Sequence, residues 1–295
     1  MHQECKNFWF SGGLLMIVTM LGTGSPLPSA NRAGPATLVQ AGGLNLLVDC
    51  GRGVTMRLAA AGVPAPIFLH SVLLTHLHSD HITDFNDLVT TQWVMPPIPM
   101  PLQVVGPPGT RAFADRTIDM LTLDVGYRIA HHADLTWEPA VDVDEVLDGV
   151  VADERFAAAG VTVTVAPTDH RPVSPTIGYR FDHEGSSVVC AGDTVPCEGL
   201  TRLVDGADVY VQTVIRHDLV QAVGVPRLLD ICDYHSTVQQ AAQTAAAGGV
   251  RTLVLTHMVP EPAPGTESEW IDLAKEHFGG EVIVASDLDR VEIGA

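Results

Sequence analysis

Short apolar runs broken by glycine, proline and asparagine dominate the first part of the chain. Runs of this length with such boundaries predict β-strands. We predict strands at Ile17–Leu21, Thr37–Gln40, Leu44–Val48, Val72–Thr75 and Leu102–Val105. Helical periodicity covers Val54–Ala61 and Ile82–Trp93, and a proline-rich break separates the second helix from the last strand. The first part of the chain is therefore predicted to form a group of strands followed by helices.

The same succession recurs in the second half of the chain. The predicted strands there are Val161–Ala166, Thr176–Phe181, Ser187–Ala191, Val209–Thr213 and Thr252–Leu255, and the predicted helices are Val238–Ala247 and Glu267–Phe278. A sheet must bury at least one face against another layer. Two such halves predict an α/β protein with a four-layer αββα sandwich, in which two sheets lie inside and helices lie outside.

The domain organisation follows from composition along the chain. Since no shift in composition marks a linker, residues 16–295 are predicted to form a single domain. Residues 1–15 carry no periodic pattern, so we predict a loose N-terminal extension. The segment 109–160 has the least regular pattern and many acidic residues, and we predict that it forms a lid or an insertion.

Composition narrows the class of protein. Of 295 residues, 46% are hydrophobic and 17% are charged, which favours a packed core over disorder. The apolar stretch Leu14–Leu21 is far shorter than the roughly 18 residues of a membrane span. The five cysteines are odd in number and include no C-x-x-C pair, which is typical of reduced thiols in the cytosol. We expect a cytoplasmic globular protein with no membrane partner.

Four side chains that can bind metal lie within six residues, directly after the strand predicted at Val72–Thr75. They are His76, His78, Asp80 and His81. Neutral imidazoles and carboxylates bind zinc-like ions at about 2.0 to 2.2 Å, and a tight loop can point alternate side chains at two ions. A solvated polar turn is the ordinary alternative, but so dense a cluster favours a metal site.

Three more candidate ligands, His170, Asp193 and His257, each follow a predicted strand. Taken singly they are weak signals, because a histidine at a strand end is more often a hydrogen-bonding residue than a ligand. Taken together and in this order, the seven residues resemble the metallo-β-lactamase fold family over nearly the whole chain. That resemblance implies an αββα sandwich with a two-metal site at the edges of the sheets.

The resemblance also implies which residues hold each ion. The implied ligands are His76, His78 and His170 for one ion and Asp80, His81 and His257 for the second, with Asp193 bridging the two. His78 stands where di-iron members of the superfamily typically carry glutamate, so the resemblance favours a hydrolytic pair of Zn²⁺ ions. Manganese, cobalt and iron also suit these ligands.

A pair of cations about 3.5 to 4 Å apart lowers the pKa of a shared water from 15.7 toward about 7 and clamps a substrate oxygen. An ester that develops negative charge is therefore the expected substrate. Asp80 is expected to act catalytically as well as to bind metal, by accepting a hydrogen bond from the attacking hydroxide.

Three short segments are similar to the ribonuclease Z branch of the family, especially its actinobacterial members. They are Leu21–Pro26 (LGTGSP), Ala191–Thr194 (AGDT) and His235–Thr237 (HST). The resemblance implies a homodimeric endoribonuclease that cuts precursor tRNA after the discriminator base and leaves a 3′-hydroxyl and a 5′-phosphate trailer. It also gives His235 a catalytic role as a general acid or as a clamp on the scissile phosphate. The ordinary alternative is a histidine next to a helix that Ser236 caps.

Other features depart from that branch and leave alternatives open. Members usually carry lysine, arginine and asparagine after the Gly-Thr motif, and here only Arg32 matches that pattern. Arg32 and Arg171 lie near motif loops and are candidate contacts for substrate phosphates. The net charge of −19 and an aromatic content of 5% are unfavourable for binding RNA. A small-molecule phosphodiesterase or arylsulfatase with the same metals is the alternative, and a metal-stabilised binding protein without turnover is a weaker one.

Overall fold

Every strand and helix named above has a counterpart in the computed structural model, which describes residues 16–294. The predicted extension 1–15 lies outside the described residues. The strands are β1 (Met16–Gly22), β2 (Ala36–Ala41), β3 (Leu44–Val48), β4 (Ser71–Leu73), β5 (Leu102–Gly106), β6 (Val141–Glu145), β7 (Gly149–Val150), β8 (Val161–Pro167), β9 (Ile177–His183), β10 (Ser186–Cys190), β11 (Val209–Ile215), β12 (Thr252–Val259), β13 (Glu281–Val284) and β14 (Arg290–Ile293).

Eleven α-helices connect or flank these strands within residues 16–294. They are α1 (Val54–Ala60), α2 (Ser79–Ile82), α3 (Phe85–Val94), α4 (Thr110–Met120), α5 (Thr122–His131), α6 (Glu154–Ala158), α7 (Glu198–Val204), α8 (His217–Val223), α9 (Pro226–Asp230), α10 (Val238–Ala247) and α11 (Glu267–Lys275). None of the helices in this range is long and apolar enough to cross a membrane.

The strands form two seven-stranded sheets. The first sheet has the order β14-β1-β2-β3-β4-β5-β6, and the second has the order β13-β12-β11-β10-β9-β8-β7. In both sheets a parallel half adjoins an antiparallel half: β3 to β6 run parallel, and so do β10 to β13. Ligands in such sheets bind at the carboxyl ends of the parallel strands, which places the candidate site at one edge of each sheet.

Three apolar layers hold the sheets and helices together. The inner faces of the two sheets pack on each other through residues such as Val18, Leu46 and Phe181. The outer face of the second sheet packs on α7, α10 and α11, and the outer face of the first sheet packs on α1, α3 and α4. The predicted αββα sandwich is confirmed.

The segment 109–160 contributes to both sheets. Strand β6 pairs in parallel with β5 and extends the first sheet, while β7 pairs with β8 and extends the second. Neither strand was predicted from the sequence, because β6 has only two valines, set between acidic residues, and β7 has only two residues. A role for this segment as a lid stays a prediction.

One buried tyrosine links the two sheets beneath the candidate site. The hydroxyl group of Tyr179 on β9 lies 2.8 Å from the carbonyl oxygen of Leu74 and 3.2 Å from that of Val105, which follow or end strands of the first sheet. Tyr179 is completely buried, so this polar contact lies within the apolar interior. The contact fixes the spacing of the sheets where the ligand-rich loop begins.

Candidate metal centre and active site

The loop after β4 is held in place by Asp49, which directly follows β3. The backbone N–H of Thr75 donates to Asp49 Oδ1 and the Thr75 hydroxyl donates to Oδ2, both at 2.8 Å. The Nδ1 atom of His81 also lies 2.8 Å from Asp49 Oδ2. Because Nδ1 of His81 is engaged in this way, its Nε2 faces the candidate site, as in metal centres whose ligands are oriented by a carboxylate.

The first candidate ligand group joins both sheets. It comprises His76, His78, His170 and Asp193, whose ligating atoms lie within 4.8 Å of one another. Nδ1 of His78 lies 3.1 Å from Nε2 of His76 and 3.2 Å from Nε2 of His170. The His170 ring is oriented by a hydrogen bond from its Nδ1 to the carbonyl oxygen of Tyr234, at 2.8 Å.

The second candidate group comprises Asp80, His81 and His257, again within 4.8 Å. Nε2 of His257 lies 3.1 Å from Asp80 Oδ2. His257 has a positive φ of 47° at a β-bulge, where the pairing between β11 and β12 shifts register. Bulges redirect side chains beside active sites, and this one turns His257 out of the strand and toward the first sheet.

The carboxylate of Asp193 lies between the two groups. Its Oδ2 atom is 3.4 to 3.9 Å from an Nε2 atom of each of four histidines, namely His76, His81, His170 and His257. The preceding residue, Gly192, has a positive φ of 65°, and a Cβ atom there would lie 2.7 Å from Cβ of Thr75. Only glycine permits this close approach of the two sheets.

The electrostatics of the site favour the metal-binding protonation states of most candidate ligands and oppose them at two. Burial lowers the pKa of His76 well below its usual value and lowers that of His170 to about 4, so both imidazoles are neutral. Burial raises the pKa of Asp80, but the hydrogen bond from His257 and the charges of His81 and His257 together outweigh it, and the resulting pKa is about 2. Burial acts likewise on Asp193, but His257 and His81 bring its pKa well below the usual range. Ionised carboxylates and neutral imidazoles are the forms that coordinate cations. Burial lowers the pKa of His81 and of His257, but Asp193 and its neighbouring carboxylates outweigh burial and raise both, so these two imidazoles must lose a proton when an ion binds.

Orphaned polar atoms test whether these residues fit a metal ion. His81 Nε2, Asp193 Oδ1 and His257 Nδ1 are buried and have no hydrogen-bond partner within residues 16–294. Such atoms cost about 1 to 3 kcal/mol each unless something compensates for the lost hydration. For His81 Nε2 and Asp193 Oδ1, a divalent cation between the two sheets supplies that compensation, so the donor set fits a bound metal ion.

The structure brings His235 into the same site. Its Nε2 lies 3.2 Å from Asp193 Oδ2, and its Nδ1 donates to the carbonyl oxygen of Ile231 at 2.8 Å. The next residue, Ser236, bonds through its hydroxyl to the carbonyl of Thr194, which ties this loop to the one that carries Asp193. Thr237, rather than Ser236, caps α10.

The two arginines predicted to contact substrate have different surroundings. The guanidinium of Arg32 is only 10% exposed and is engaged by Glu261, the hydroxyl of Thr23 and the carbonyl of Ala285. The side chain of Arg171 is 79% exposed beside His170 and pairs with Asp169. Arg171 is therefore the one placed to reach a substrate, and both roles stay predictions.

The chain matches the Beta-lactamase superfamily domain over residues 44–258, a range that holds all seven candidate ligands. The Bacillus subtilis metallo-β-lactamase fold protein YhfI has the same fold, with a TM-score of 0.70 at 24% identity over 94% of this chain and 99% of that one. Human tRNase Z, short form, also has the same fold, with a TM-score of 0.67 at 23% identity over 93% and 98% of the two chains. The fold and the histidine–aspartate groups define a metal-dependent hydrolase of this superfamily.

A curated relative specifies the branch. Ribonuclease Z of Mycobacterium avium is 57% identical over 280 residues, which is 94% of this chain and 98% of the relative. The chain belongs to the ribonuclease Z family of the β-lactamase superfamily. The resemblance inferred from the HxHxDH, AGDT and HST segments is confirmed.

Sequence reasoning missed two residues of the site. Asp49 follows a predicted strand and could have been found as the carboxylate at the end of a strand parallel to β4. Tyr234 carried no signal, because its contacts with His170 and His235 arise only when the β11–α10 connection folds over the second sheet.

Proposed function

We propose that the chain is a metal-dependent endoribonuclease that hydrolyses one phosphodiester in precursor tRNA, just after the discriminator base. The products are a 3′-hydroxyl and a trailer with a 5′-phosphate. The observation that carries the proposal is the convergence of both ligand groups and His235 on the carboxylate of Asp193. The relative named Ribonuclease Z supports the choice of substrate.

In this proposal the site holds two Zn²⁺ ions per chain. His76, His78 and His170 would hold one ion, Asp80, His81 and His257 would hold the other, and Asp193 would serve both. The central position of Asp193 Oδ2, within 4 Å of nitrogens from both groups, supports the bridging role. When bound, the ions would supply a hydroxide at neutral pH and neutralise charge that develops on the phosphate.

The remaining chemistry belongs to the side chains. Asp80 is ionised, so its carboxylate can accept a hydrogen bond from the nucleophile and orient it toward phosphorus. The Nδ1–H of His235 is engaged by the carbonyl of Ile231, which leaves Nε2 to hold the proton that the departing 3′ oxygen takes. Arg171, exposed beside His170, contacts the phosphate strand.

The test is cleavage of an unmodified precursor tRNA with a 3′ trailer, with zinc or manganese supplied and both product ends mapped. The Asp80→Ala variant serves as the blank. A single cut after the discriminator base is the expected result. No cut, while the same preparation still hydrolyses bis(p-nitrophenyl) phosphate, would overturn the proposal and favour a small-molecule phosphodiesterase.

We also propose that the protein acts in the cytoplasm, where precursor tRNA is available, and that it forms a homodimer. Exposed apolar side chains concentrate near α5, namely Met95, Ile98, Met120, Leu123 and Tyr127. Apolar surface of this kind is typical of an interface. Sedimentation should give twice the chain mass for the native protein and the chain mass for Leu123→Glu/Tyr127→Glu. Native protein that sediments as a monomer would overturn the proposed dimer but not the proposed activity.

A further inference from the structure

Tyr234 packs against two candidate active-site side chains. The centroid of its ring lies 5.0 Å from that of His170 and 4.9 Å from that of His235. The His235 ring is tilted by 41° to the Tyr234 ring, and the His170 ring meets it edge to face at 79°. The position of the ring is therefore determined by the same loop that places His235.

The tyrosine ring is also available to a substrate. Tyr234 is only partly buried, and its hydroxyl makes no hydrogen bond to any group in residues 16–294. Among those residues, Tyr234 is the one Phe, Tyr or Trp whose ring contacts the ring of a candidate ligand or of His235. A partly exposed aromatic ring at the mouth of a polar site offers a surface on which a nucleobase can stack.

The proposed chemistry indicates which base this is, so the inference rests on the proposed function. If His235 gives its proton to the departing 3′ oxygen, the nucleoside that carries this oxygen lies on the His235 side of the scissile bond. That nucleoside is the last one of the mature tRNA. We infer that Tyr234 binds the discriminator nucleobase by stacking, and that it does not contact the bases of the trailer.

The expected effect is a loss of substrate binding. Replacing a stacking aromatic residue by alanine weakens binding about 5- to 100-fold per base. Tyr234→Ala should therefore raise KM for precursor tRNA by about that factor, with a smaller change in kcat. Tyr234→Phe keeps the ring and should behave as the native protein, since the hydroxyl has no partner. Phe68→Ala removes an aromatic ring that is 49% exposed and lies outside both candidate ligand groups, and it serves as the matched control.

The decisive experiment combines each variant with three substrates: native precursor tRNA, one that is abasic at the discriminator, and one that is abasic at the first trailer nucleotide. Native protein should bind the discriminator-abasic substrate more weakly than native precursor tRNA. The Tyr234→Ala variant should bind both of these substrates with the same, already reduced affinity. Tyr234→Ala should raise KM by the same factor on the trailer-abasic substrate as on native precursor tRNA. The inference would be overturned if the effects of Tyr234→Ala and of the missing discriminator base simply multiplied. It would also be overturned if the effect of Tyr234→Ala disappeared only when the trailer base was missing.

Two controls show whether an unexpected result contradicts the role of Tyr234 or the proposed function. Because bis(p-nitrophenyl) phosphate has no nucleobase, Tyr234→Ala should slow its hydrolysis far less than the cleavage of precursor tRNA. An equal loss on both substrates would mean that Tyr234 acts only by supporting His170 and His235, and would overturn a direct contact. If native protein fails to cut precursor tRNA, the proposed function fails and the inference fails with it. If native protein cuts and no coupling is found, the inference fails alone.

Discussion

Asp49 shows how a residue outside the candidate ligand groups controls them. Its two carboxylate oxygens accept from the N–H and the hydroxyl of Thr75 and contact Nδ1 of His81. In Asp49→Asn one acceptor becomes a donor, so the orientation of His81 is lost. We expect zinc affinity to fall about 10- to 100-fold, which competition against a chromogenic chelator would measure.

The control for this variant is Asp87→Asn. Asp87 accepts one hydrogen bond, from the hydroxyl of Thr55 at the surface, and should bind zinc as the native protein does. Circular dichroism would show that both variants fold. Equal zinc affinity of the two variants would contradict the role given to Asp49.

The proposed role of His235 predicts a dependence on the leaving group. A ribose 3′ oxygen needs a proton as it departs, whereas nitrophenolate does not. His235→Ala should therefore reduce kcat on precursor tRNA by about 100-fold or more, and should reduce hydrolysis of bis(p-nitrophenyl) phosphate far less. Parallel rate measurements on the two substrates check this. Equal losses would remove the general-acid role.

At the scale of single residues, the sequence singled out every member of the two candidate ligand groups, and their metal-binding roles stay predictions. Six of the seven candidate ligands follow β4, β8 or β10, His257 lies at the bulge near the end of β12, and His235 lies on the connection before α10, so all of them meet at one edge of the sandwich. Asp49 and Tyr234 were missed because their roles depend on contacts between segments far apart in the chain. Arg32 shows the same limit, since its engagement by Glu261 is invisible in the sequence.

Helix α10 positions the loop that carries His235. The Thr237 side chain accepts from the N–H of Gln240, and the Gln240 side chain accepts from the N–H of Thr237. This capping box holds the helix start two residues from His235. Thr237→Ala should cost about 1 kcal/mol of folding free energy, and thermal unfolding should show a fall in Tm of about 2 to 4 °C.

The matched control is Thr266→Ala. Thr266 is the N-cap of α11, but its hydroxyl bonds to the carbonyl of Ala263 and makes no capping bond to the helix. Its replacement should lower Tm less than that of Thr237. A larger effect at Thr266 would contradict the importance of the capping box.

At the scale of elements, the sequence predicted the buried strands and helices α1, α3, α10 and α11. It missed α4 and α5, which are at least as long and lie in the segment 109–160 that was predicted to be irregular. Helix α10 has the predicted bounds, because Thr237 and Gln240 cap its start and Gly248 and Gly249 follow its last residue. The edge strands β6, β7, β13 and β14 were missed, because each has only two to five residues and most of their side chains are at least partly exposed. Such strands exist through pairing with a neighbour, which local sequence does not encode.

The charge of the whole molecule limits how it can bind RNA. Nine of the fourteen arginines form ion pairs within residues 16–294. The others, which have no acidic partner in that range, are Arg52, Arg111, Arg116, Arg227 and Arg290. With a net charge of −19, few cations are left for phosphates.

We therefore expect a shallow salt dependence of RNA binding. Each neutralised phosphate contributes roughly −0.9 to the slope of log affinity against log salt, so contacts from these five arginines and from the exposed Arg171 give a slope no steeper than about −5.4 per chain. Fluorescence anisotropy with labelled precursor tRNA and the Asp80→Ala variant would measure it between 50 and 200 mM salt. A steeper slope would show that other paired arginines release their acids to bind RNA.

Both candidate ligand groups combine side chains from the ends of strands in the first sheet with side chains from the ends of strands in the second. A bound ion would thus act as a removable cross-link between two layers that are otherwise joined by apolar contacts and by a few hydrogen bonds, such as those of the Tyr179 hydroxyl and the Ile177 N–H. Because metal binding to the folded state adds to its stability, a chelator should lower Tm, and zinc should restore it. Hydrogen exchange should quicken first in the loops that carry His76 and His235. Metal supply would then govern how long the folded chain resists proteolysis, apart from any effect on turnover.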